Sequence, residues 1–337
     1  MNDRPHVSVV GAGAWGTALG IVLVGRGHEV RVWSFEADVA SSINKERRNP
    51  YLPGVELPEG LISTTDLGSA VSKAQLVVSA TPSQFVREVM HHARQYMSAE
   101  SLLVSASKGI ELGTNLRMED VLTETLSGVL SQPLSVLSGP SFAAEVAVGV
   151  PTTVVVASRD EAVARRVREF FQGPSFRIYT NTDVIGVELG GALKNVVALA
   201  AGVTGGLGMG HNTTAAVITR GLAEITRLGL AVGADQATFY GLAGVGDLVL
   251  TCNASLSRNR TVGYRLGQGE SLEEILSDMK AVAEGVKTTE AAYELAAEHQ
   301  VEMPITEQMY AVVHQGRNPS EAVRALMNRD PKSEEWS

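Results

Sequence analysis

The stretch VSVVGAGAWGTAL, residues 7–19, decides the fold of the N-terminal half of the chain. An apolar, β-branched run leads directly into a glycine-rich turn, and residues with helical apolar spacing follow. Gly11, Gly13 and Gly16 form the pattern G-x-G-x-x-G. Its first glycine permits a tight turn, its second lets a pyrophosphate approach the backbone, and its third lets helix and strand pack closely. The stretch therefore predicts a strand–turn–helix unit that binds a dinucleotide at the helix N-terminus.

The first half of the chain continues this alternation of strand-like and helical segments, which is typical of a parallel sheet with crossover helices. Strands are predicted at 6–10, 29–34, 74–80, 101–107, 133–138, 152–158 and 176–180. Such runs stop near residue 182, and helices are predicted at 184–204, 212–231, 235–242, 271–281, 286–299, 304–315 and 319–327. The sequence thus predicts an α/β Rossmann-like N-terminal domain (1–182), an all-α C-terminal domain (183–330) and a frayed tail (331–337).

Composition excludes several classes of protein. A net charge of −9 argues against a general nucleic-acid binder, which needs a basic face. The single cysteine, Cys252, excludes an intramolecular disulfide and suits the cytoplasm, and the seven histidines show no ligand spacing, so no metal is predicted. The run 195–219 has no charged residue, but glycines crowd its middle and the polar residues HNTT follow. We therefore expect two buried helices with a glycine-rich turn between them, and no membrane insertion.

Polar residues in apolar surroundings indicate the chemistry. Lys108 is predicted at a strand end, Lys194 heads the uncharged run, and Asp247 stands alone among glycines and aliphatic residues. The stretch SRNR, residues 257–260, offers an arginine fork and an asparagine that match a phosphate. This set predicts reduction of a phosphorylated ketone, with a hydride from nicotinamide, a proton from Lys194 and cations on the phosphate. A loop lysine, a lysine that reaches to solvent, a capping aspartate and a basic surface turn are the ordinary structural alternatives.

The end of the second predicted strand, Trp33-Ser34-Phe35-Glu36, concerns the choice of cofactor. An acid at this place hydrogen-bonds the ribose 2′-hydroxyl and favours NAD, whereas a basic residue favours NADP. Glu36 favours NAD, and the basic residues of the following loop, Lys45, Arg47 and Arg48, favour NADP. The sequence leaves NADPH and NADH both open as hydride donors.

Several long motifs make the sequence resemble the bacterial NAD(P)-dependent glycerol-3-phosphate dehydrogenases over nearly its whole length. They are GAGAWGTAL, HEVRVW, SKGIE, LSGPSFAAEVAVGVPT, IGVELGGALKNVVALAAG, ITRGLAEITRLG, GLAGVGDLVLTC, SRNRTVG, EGVKTTE and VEMPITEQMY. The resemblance implies an N-terminal Rossmann domain, a helical C-terminal domain and interconversion of dihydroxyacetone phosphate and sn-glycerol 3-phosphate. It also implies a cytoplasmic enzyme that supplies glycerol 3-phosphate for phospholipid synthesis, commonly as a homodimer.

The resemblance assigns roles to residues at matching positions. Lys194 in GGALKN would be the catalytic lysine that transfers the proton. The residues that would bind substrate are Lys108, Gly139, Ser141, Lys194, Asp247, Ser257, Arg258 and Asn259. Those that would contact the cofactor are Gly11, Gly13, Ala14, Trp15, Gly16, Phe35, Lys108, Ala143, Arg258, Val282 and Glu284.

Two departures and two rival functions remain. Ala14 replaces a serine common in the family, and Phe35 stands where many members carry a basic residue against the 2′-phosphate. A β-hydroxyacid or ketopantoate reductase also pairs a Rossmann domain with helices, but its carboxylate substrate would not need the SRNR cluster. A non-catalytic dinucleotide sensor would have no reason to combine Lys194, Lys108, Asp247 and Arg258. Activity with any ketone would distinguish an enzyme from such a sensor.

Overall fold

The computed structural model describes residues 6–279, 283–331 and 333–334. The chain divides into two compact units. The first contains residues 6–108 and 117–187, and the second contains residues 109–116 together with the described part of 188–337. The predicted cofactor residue Val282 lies outside the described residues.

The first unit is built on one eight-stranded sheet in the order β3-β2-β1-β4-β5-β6-β7-β8. Its strands are β1 (His6–Val10), β2 (Glu29–Trp33), β3 (Leu61–Thr64), β4 (Leu76–Ser79), β5 (Leu102–Ser105), β6 (Ser135–Ser138), β7 (Thr152–Ser158) and β8 (Phe176–Asn181). Its helices are α1 (Ala14–Gly25), α2 (Ala37–Glu46), α3 (Leu67–Val71), α4 (Val86–Ala93), α5 (Met118–Thr125), α6 (Ala143–Ala147) and α7 (Glu161–Phe171). The predicted Rossmann-like α/β fold is confirmed.

Two features of the sheet differ from the prediction. Strand β7 runs antiparallel to β6, whereas every other pairing is parallel. The connection between them, residues 139–151, contains the five-residue α6. Strand β3 was missed because it is a four-residue edge strand, and Ile62 in it is 55% exposed.

The second unit is helical. It contains most of α8 (Val184–Gly206), followed by α9 (Gly210–Ala231), α10 (Gln236–Phe239), α11 (Asp247–Asn253), α12 (Arg258–Gly267), α13 (Leu272–Ser277), α14 (Glu284–Glu298), α15 (Pro304–Gln315) and α16 (Pro319–Met327). A π-helical turn, Leu242–Gly246, precedes α11. The predicted all-α character of this half is confirmed.

Local signals at the helix ends had mixed success. The predicted capping box of Ser271 and Glu274 is present at α13. The predicted N-cap at Ser320 is wrong, because Asn318 caps α16 by accepting the Ser320 N–H and Pro319 is the first helical residue. Helices α11 and α12 were not predicted. Each is at most ten residues long, and α12 begins with three consecutive polar residues that hide its apolar face.

Among the described residues, α8 is the one helix whose length and composition would allow it to cross a membrane. In the protein, 89% of its most apolar window is buried. The helix is therefore largely buried inside the protein, and its apolar length reflects that burial. It continues to Gly206, two residues beyond its predicted end.

Candidate active site

The glycine loop has the geometry that a dinucleotide requires. Gly11 has φ +123°, a conformation that favours glycine, and a Cβ there would lie 2.7 Å from the carbonyl oxygen of Ala80. A Cβ on Gly16 would overlap the carbonyl oxygen of Gly11, so the third glycine lets α1 pack onto the turn. A Cβ on Gly13 would meet nothing within 4 Å, which leaves open space on the outer side of the loop. The space at each glycine is thus compatible with the role that the pattern predicts.

The start of α1 fits the phosphates of NAD or NADP. Gly13 is its N-cap and supplies no side-chain acceptor, and the first turn, which includes Ala14, carries no acid. The first N–H groups of a helix have no partner within it, and the helix dipole favours an anion there. Trp15 Nε1 is buried and has no hydrogen-bond acceptor among the described residues, as suits a ligand rich in acceptor oxygens.

Asn49, which the sequence analysis missed, fixes this loop from outside. Its Nδ2 donates to the Ala12 carbonyl at 2.8 Å and to Thr17 Oγ1 at 2.7 Å, and its Oδ1 accepts the Tyr51 N–H. The residue is 2% exposed, so it ties the segment after α2 to the glycine turn. The sequence offered no signal for this contact, since an asparagine before proline reads as an ordinary turn residue.

The end of β2 carries an acid whose orientation is fixed. Glu36 Oε1 accepts a hydrogen bond from the Tyr51 hydroxyl at 2.9 Å, and this bond raises the pKa of Tyr51. Phe35 is 82% exposed beside it. Arg47 is engaged elsewhere: its Nε donates to the Leu57 carbonyl, and its guanidinium lies 3.5 Å from Glu56 and 3.7 Å from Glu59.

The structure brings Lys108, Gly139 and Ser141 together beyond the ends of β5 and β6. Lys108 Nζ donates to the Gly139 carbonyl at 3.3 Å, and Ser141 Oγ donates to the same oxygen at 3.0 Å. Gly139 has φ +133°, and a Cβ there would lie 3.0 Å from Val154 Cα. Ala143 begins α6 directly after this turn. A cation and a hydroxyl thus meet at the carboxyl ends of the strands, where α/β proteins bind ligands.

Lys194 on α8 and Asp247 on α11 form a buried ion pair in the helical unit. Lys194 Nζ also donates to Thr251 Oγ1 at 2.9 Å, and Thr251 Oγ1 donates to the Asp247 carbonyl at 2.6 Å. Lys194 is 7% exposed, Asp247 1% and Thr251 4%. A buried ammonium needs such partners, because an isolated buried charge costs several kcal/mol. The structure therefore rejects the interpretation of Lys194 as a lysine whose ammonium reaches into solvent.

Glycines make this pairing possible. Gly190 lies one turn before Lys194, and a Cβ there would come within 2.5 Å of the Ala243 carbonyl oxygen in the π-helical turn. Within that turn Gly244 adopts φ −93°, ψ −108°, and a Cβ on it would overlap the carbonyl oxygen of Phe239. Backbone contact between α8 and this turn sets Asp247 beside Lys194.

The next residue after Thr251 is Cys252, which is buried beside the same pair. Burial raises the pKa of its thiol to about 12. The thiol therefore stays protonated at neutral pH and is a poor nucleophile.

The SRNR cluster forms the N-terminus of α12, where Ser257 and Asn259 are buried and Arg258 is exposed. Ser257 is the N-cap, and its Oγ accepts the Arg260 N–H at 3.2 Å. Arg258 and Asn259 are the first two helical residues, so their N–H groups lie at the positive end of the helix. Loss of hydration lowers the pKa of Arg258, which Glu284 partly opposes; an arginine remains charged at physiological pH. A cationic fork, a carboxamide and a helix N-terminus at one place are suited to a phosphate.

Two pairs of glycines hold α12 against α8. A Cβ on Gly202 or Gly206 of α8 would overlap the carbonyl oxygen of Arg260 or Tyr264, respectively. A Cβ on Gly263 or Gly267 of α12 would overlap that of Leu199 or Val203. The glycine-rich segment therefore packs two helices at backbone distance, and this contact fixes the cluster at the start of α12 relative to Lys194.

Comparisons with known proteins agree over the whole chain. Residues 6–164 match the family described as NAD-dependent glycerol-3-phosphate dehydrogenase N-terminus, and residues 183–324 match the corresponding C-terminus. The chain belongs to the NAD-dependent glycerol-3-phosphate dehydrogenase family. A glycerol-3-phosphate dehydrogenase [NAD(P)+] of Citrifermentans bemidjiense is 53% identical over 97% of this chain and 98% of its own. That of Geobacter sulfurreducens is 52% identical over 100% of both.

The solved structures agree with the sequences. The crystal structure of glycerol-3-phosphate dehydrogenase from Coxiella burnetii superposes with a TM-score of 0.93 at 38% identity, covering 97% of this chain and 99% of the other. The protein is thus an NAD(P)-dependent oxidoreductase of this family that acts on a small molecule. The expected resemblance, enzyme class and cofactor class are confirmed.

Sequence reasoning missed Thr251 and Gly285 in the helical unit. Thr251 lies four residues after Asp247, on the same side of α11, and a helical prediction over 247–253 would have shown it. Glu284 and Gly285 are the first two residues of α14, and the Gly285 N–H donates to Asn259 Oδ1 at 3.0 Å. No motif rule predicts that contact.

Proposed function

We propose that the enzyme interconverts dihydroxyacetone phosphate and sn-glycerol 3-phosphate, with Lys194 as the proton donor and acceptor. The observation that carries the proposal is the buried Lys194–Asp247–Thr251 network in the same helical unit as the Arg258–Asn259 helix terminus. The Lys194 network can present a proton to a carbonyl oxygen, and the N-terminus of α12 can bind a dianionic phosphate. Family membership supports the same reaction.

The side chains around Lys194 orient its ammonium group. Two of its acceptors, Asp247 Oδ1 and Thr251 Oγ1, come from one helix, so they fix the direction of Nζ. Bound NADH or NADPH supplies the hydride that the ketone carbon accepts. Lys194 donates a proton to the carbonyl oxygen in that direction and takes it back from the alcohol in the other. Asp247 stabilises the charged ammonium before transfer.

The phosphate is assigned to the N-terminus of α12. Arg258 supplies positive charge and a planar set of donors, and Asn259 supplies neutral N–H groups. Ser257 Oγ accepts the Arg260 N–H, and its hydroxyl hydrogen can be donated to a phosphate oxygen. The resemblance also assigns Lys108, Gly139 and Ser141 to the substrate.

The resemblance assigns the cofactor to the glycine loop and to further residues along the chain. The contacts proposed are Gly11, Gly13, Ala14, Trp15, Gly16, Phe35, Lys108, Ala143, Arg258, Val282 and Glu284. The open space at Gly13 and the acid-free first turn of α1 support the pyrophosphate position.

NADH is the preferred hydride donor in this proposal. Glu36 is held by Tyr51 at the end of β2, where a carboxylate accepts a hydrogen bond from a ribose 2′-hydroxyl and repels a 2′-phosphate. Arg47 is one of the basic residues that could contact a 2′-phosphate. Its side chain instead contacts Glu56, Glu59 and the Leu57 carbonyl. Phe35 adds an exposed apolar ring and no charge.

The cellular setting proposed is the cytoplasm, where the enzyme supplies glycerol 3-phosphate for phospholipid synthesis as a homodimer. The resemblance supports these assignments.

Residues 211–219, the first part of α9, are exposed or half-buried and carry no Asp, Glu, Lys or Arg, which suits contact with a second copy. Light scattering after size-exclusion chromatography should give twice the mass of one chain; a monomer at micromolar concentration would contradict the dimer.

Initial rates test the reaction and the cofactor together. We expect NADH oxidation with dihydroxyacetone phosphate, a much lower rate with dihydroxyacetone, and a lower kcat/KM and weaker binding for NADPH. The substitution Phe35→Arg should raise NADPH affinity, measured by nicotinamide fluorescence. Cofactor binding without turnover of either ketone would contradict the proposed reaction, and equal affinities for the two cofactors would contradict the role of Glu36.

A further inference from the structure

Gly285 lies where three helices that carry proposed site residues meet. It is buried at the second position of α14. A Cβ there would lie 2.8 Å from Asn259 Oδ1 on α12 and 2.9 Å from the carbonyl oxygen of Asn195 on α8. Its φ is not in the left-handed region, so lack of space is what requires glycine here.

The N–H of Gly285 decides how the Asn259 carboxamide is turned. Helix α14 begins after Ala283, which supplies no side-chain cap, so the second N–H of the helix needs an acceptor from elsewhere. Asn259 Oδ1 is that acceptor, at 3.0 Å and in a buried position. Since the carboxamide oxygen faces a backbone donor, the two N–H groups of Nδ2 must point the other way. No described residue accepts a hydrogen bond from Nδ2.

We propose that Gly285 is a positioning residue for phosphate specificity: it holds Asn259 so that Nδ2 donates to the substrate phosphate. The inference rests on the proposed function. Without the contact, the carboxamide could turn its oxygen towards the phosphate and repel it. With any larger residue at position 285, α14 must move away from Asn195 and Asn259, and the donor loses its place.

The substitution Gly285→Ala tests the proposal through the difference between two ketones. We expect kcat/KM for dihydroxyacetone phosphate to fall about tenfold or more, mainly through KM, because a hydrogen bond to a charged group is lost. For dihydroxyacetone, which lacks the phosphate, kcat/KM should change by less than about twofold. Inhibition by inorganic phosphate should weaken in parallel with the first effect.

Gly205→Ala is the matched control. It makes the same change in a helix of the same unit, and its Cβ would lie 3.5 Å from the Tyr264 ring, an ordinary contact. This variant should keep the wild-type ratio of the two ketones. An equal loss of both activities in Gly285→Ala, or no loss of either, would overturn the proposal.

Asn259→Asp tests the same arrangement without crowding the helices. Its carboxylate can still accept the Gly285 N–H but has no N–H for the phosphate, so the Tm should be kept and the preference for dihydroxyacetone phosphate lost. An unchanged preference would overturn the proposal, including when Gly285→Ala does not fold. A wild-type enzyme that shows no preference for the phosphorylated ketone would instead contradict the proposed function itself.

Discussion

At the scale of single residues, Glu224 is a buried carboxyl group outside the proposed site. It lies on α9 and is 3% exposed. Its Oε1 accepts the Ile305 N–H at 2.6 Å, and its Oε2 accepts the Thr306 N–H at 3.1 Å. These are N–H groups of the first turn of α15, whose own N-cap residue supplies no side-chain acceptor. Glu224 therefore caps α15 from another helix.

Burial raises the pKa of Glu224 from 4.5 to about 7, against the opposing effect of its hydrogen bonds. Because the folded pKa exceeds the unfolded one, the stability contributed by this group is complete below pH 4.5 and is lost as pH rises through about 7. The loss approaches about 3 kcal/mol. Urea unfolding of wild type and Glu224→Gln from about pH 5 to pH 8 should show wild type losing this amount relative to the variant. A wild type that gains stability with pH would show that the hydrogen bonds outweigh burial.

The sequence alone singles out Lys194, the proposed proton-transfer residue, but it does not reveal the environment of that lysine. Lys194 stands out because it is the last charge before a long uncharged run. Its partners lie 53 and 57 residues further along the chain. Their approach depends on Gly190 and on a π-helical turn, for which single-sequence periodicity has no signal.

At the scale of elements, the contact between α8 and α12 connects Lys194, the proposed proton-transfer residue, to Arg258 and Asn259, the residues proposed to bind the phosphate. Each helix contributes two glycines at a spacing of four, which lie against the backbone of the other helix. A residue with a side chain at any of these positions would separate the helices. Such separation would move the N-terminus of α12, and Arg258 with it, away from Lys194.

The substitution Gly202→Ala should lower the free energy of unfolding by about 1–3 kcal/mol, because its Cβ would overlap the Arg260 carbonyl oxygen. It should also lower kcat/KM for dihydroxyacetone phosphate. Gly205→Ala, three residues along the same helix, has room and should be neutral or stabilise the protein by up to about 1 kcal/mol. Denaturant unfolding of both variants checks this. Equal stabilities would mean that the helix contact adapts to an added methyl group.

At the scale of the whole molecule, the sequence contained enough to predict the class of each half. The glycine pattern after an apolar run predicted the nucleotide-binding unit, and β-branched runs predicted seven of the eight strands. The reversed direction of β7 was not predicted, since the local residue pattern of a strand does not give its direction in the sheet. Helices α11 and α12 were missed because polar and glycine residues interrupt their apolar spacing.

Some residues proposed for the site could likewise be predicted from the sequence, and others could not. Lys108, Gly139 and Ser141 follow strand ends, so their meeting could be expected from the rule that ligands bind at that edge of a sheet. Asn49, Tyr51, Thr251 and Gly285 act through contacts with segments distant in sequence. Only a folded chain reveals such contacts.

Turnover by a Lys194→Met variant tests directly whether Lys194 is the group that transfers the proton. Methionine keeps an unbranched apolar side chain one heavy atom shorter than that of lysine and removes the transferable proton. We expect kcat with dihydroxyacetone phosphate to fall by about 10²–10⁴-fold, while NADH binding measured by fluorescence stays at the wild-type value and shows that the variant is folded. Turnover near that of wild type in this variant would contradict the assignment of Lys194 as the group that transfers the proton.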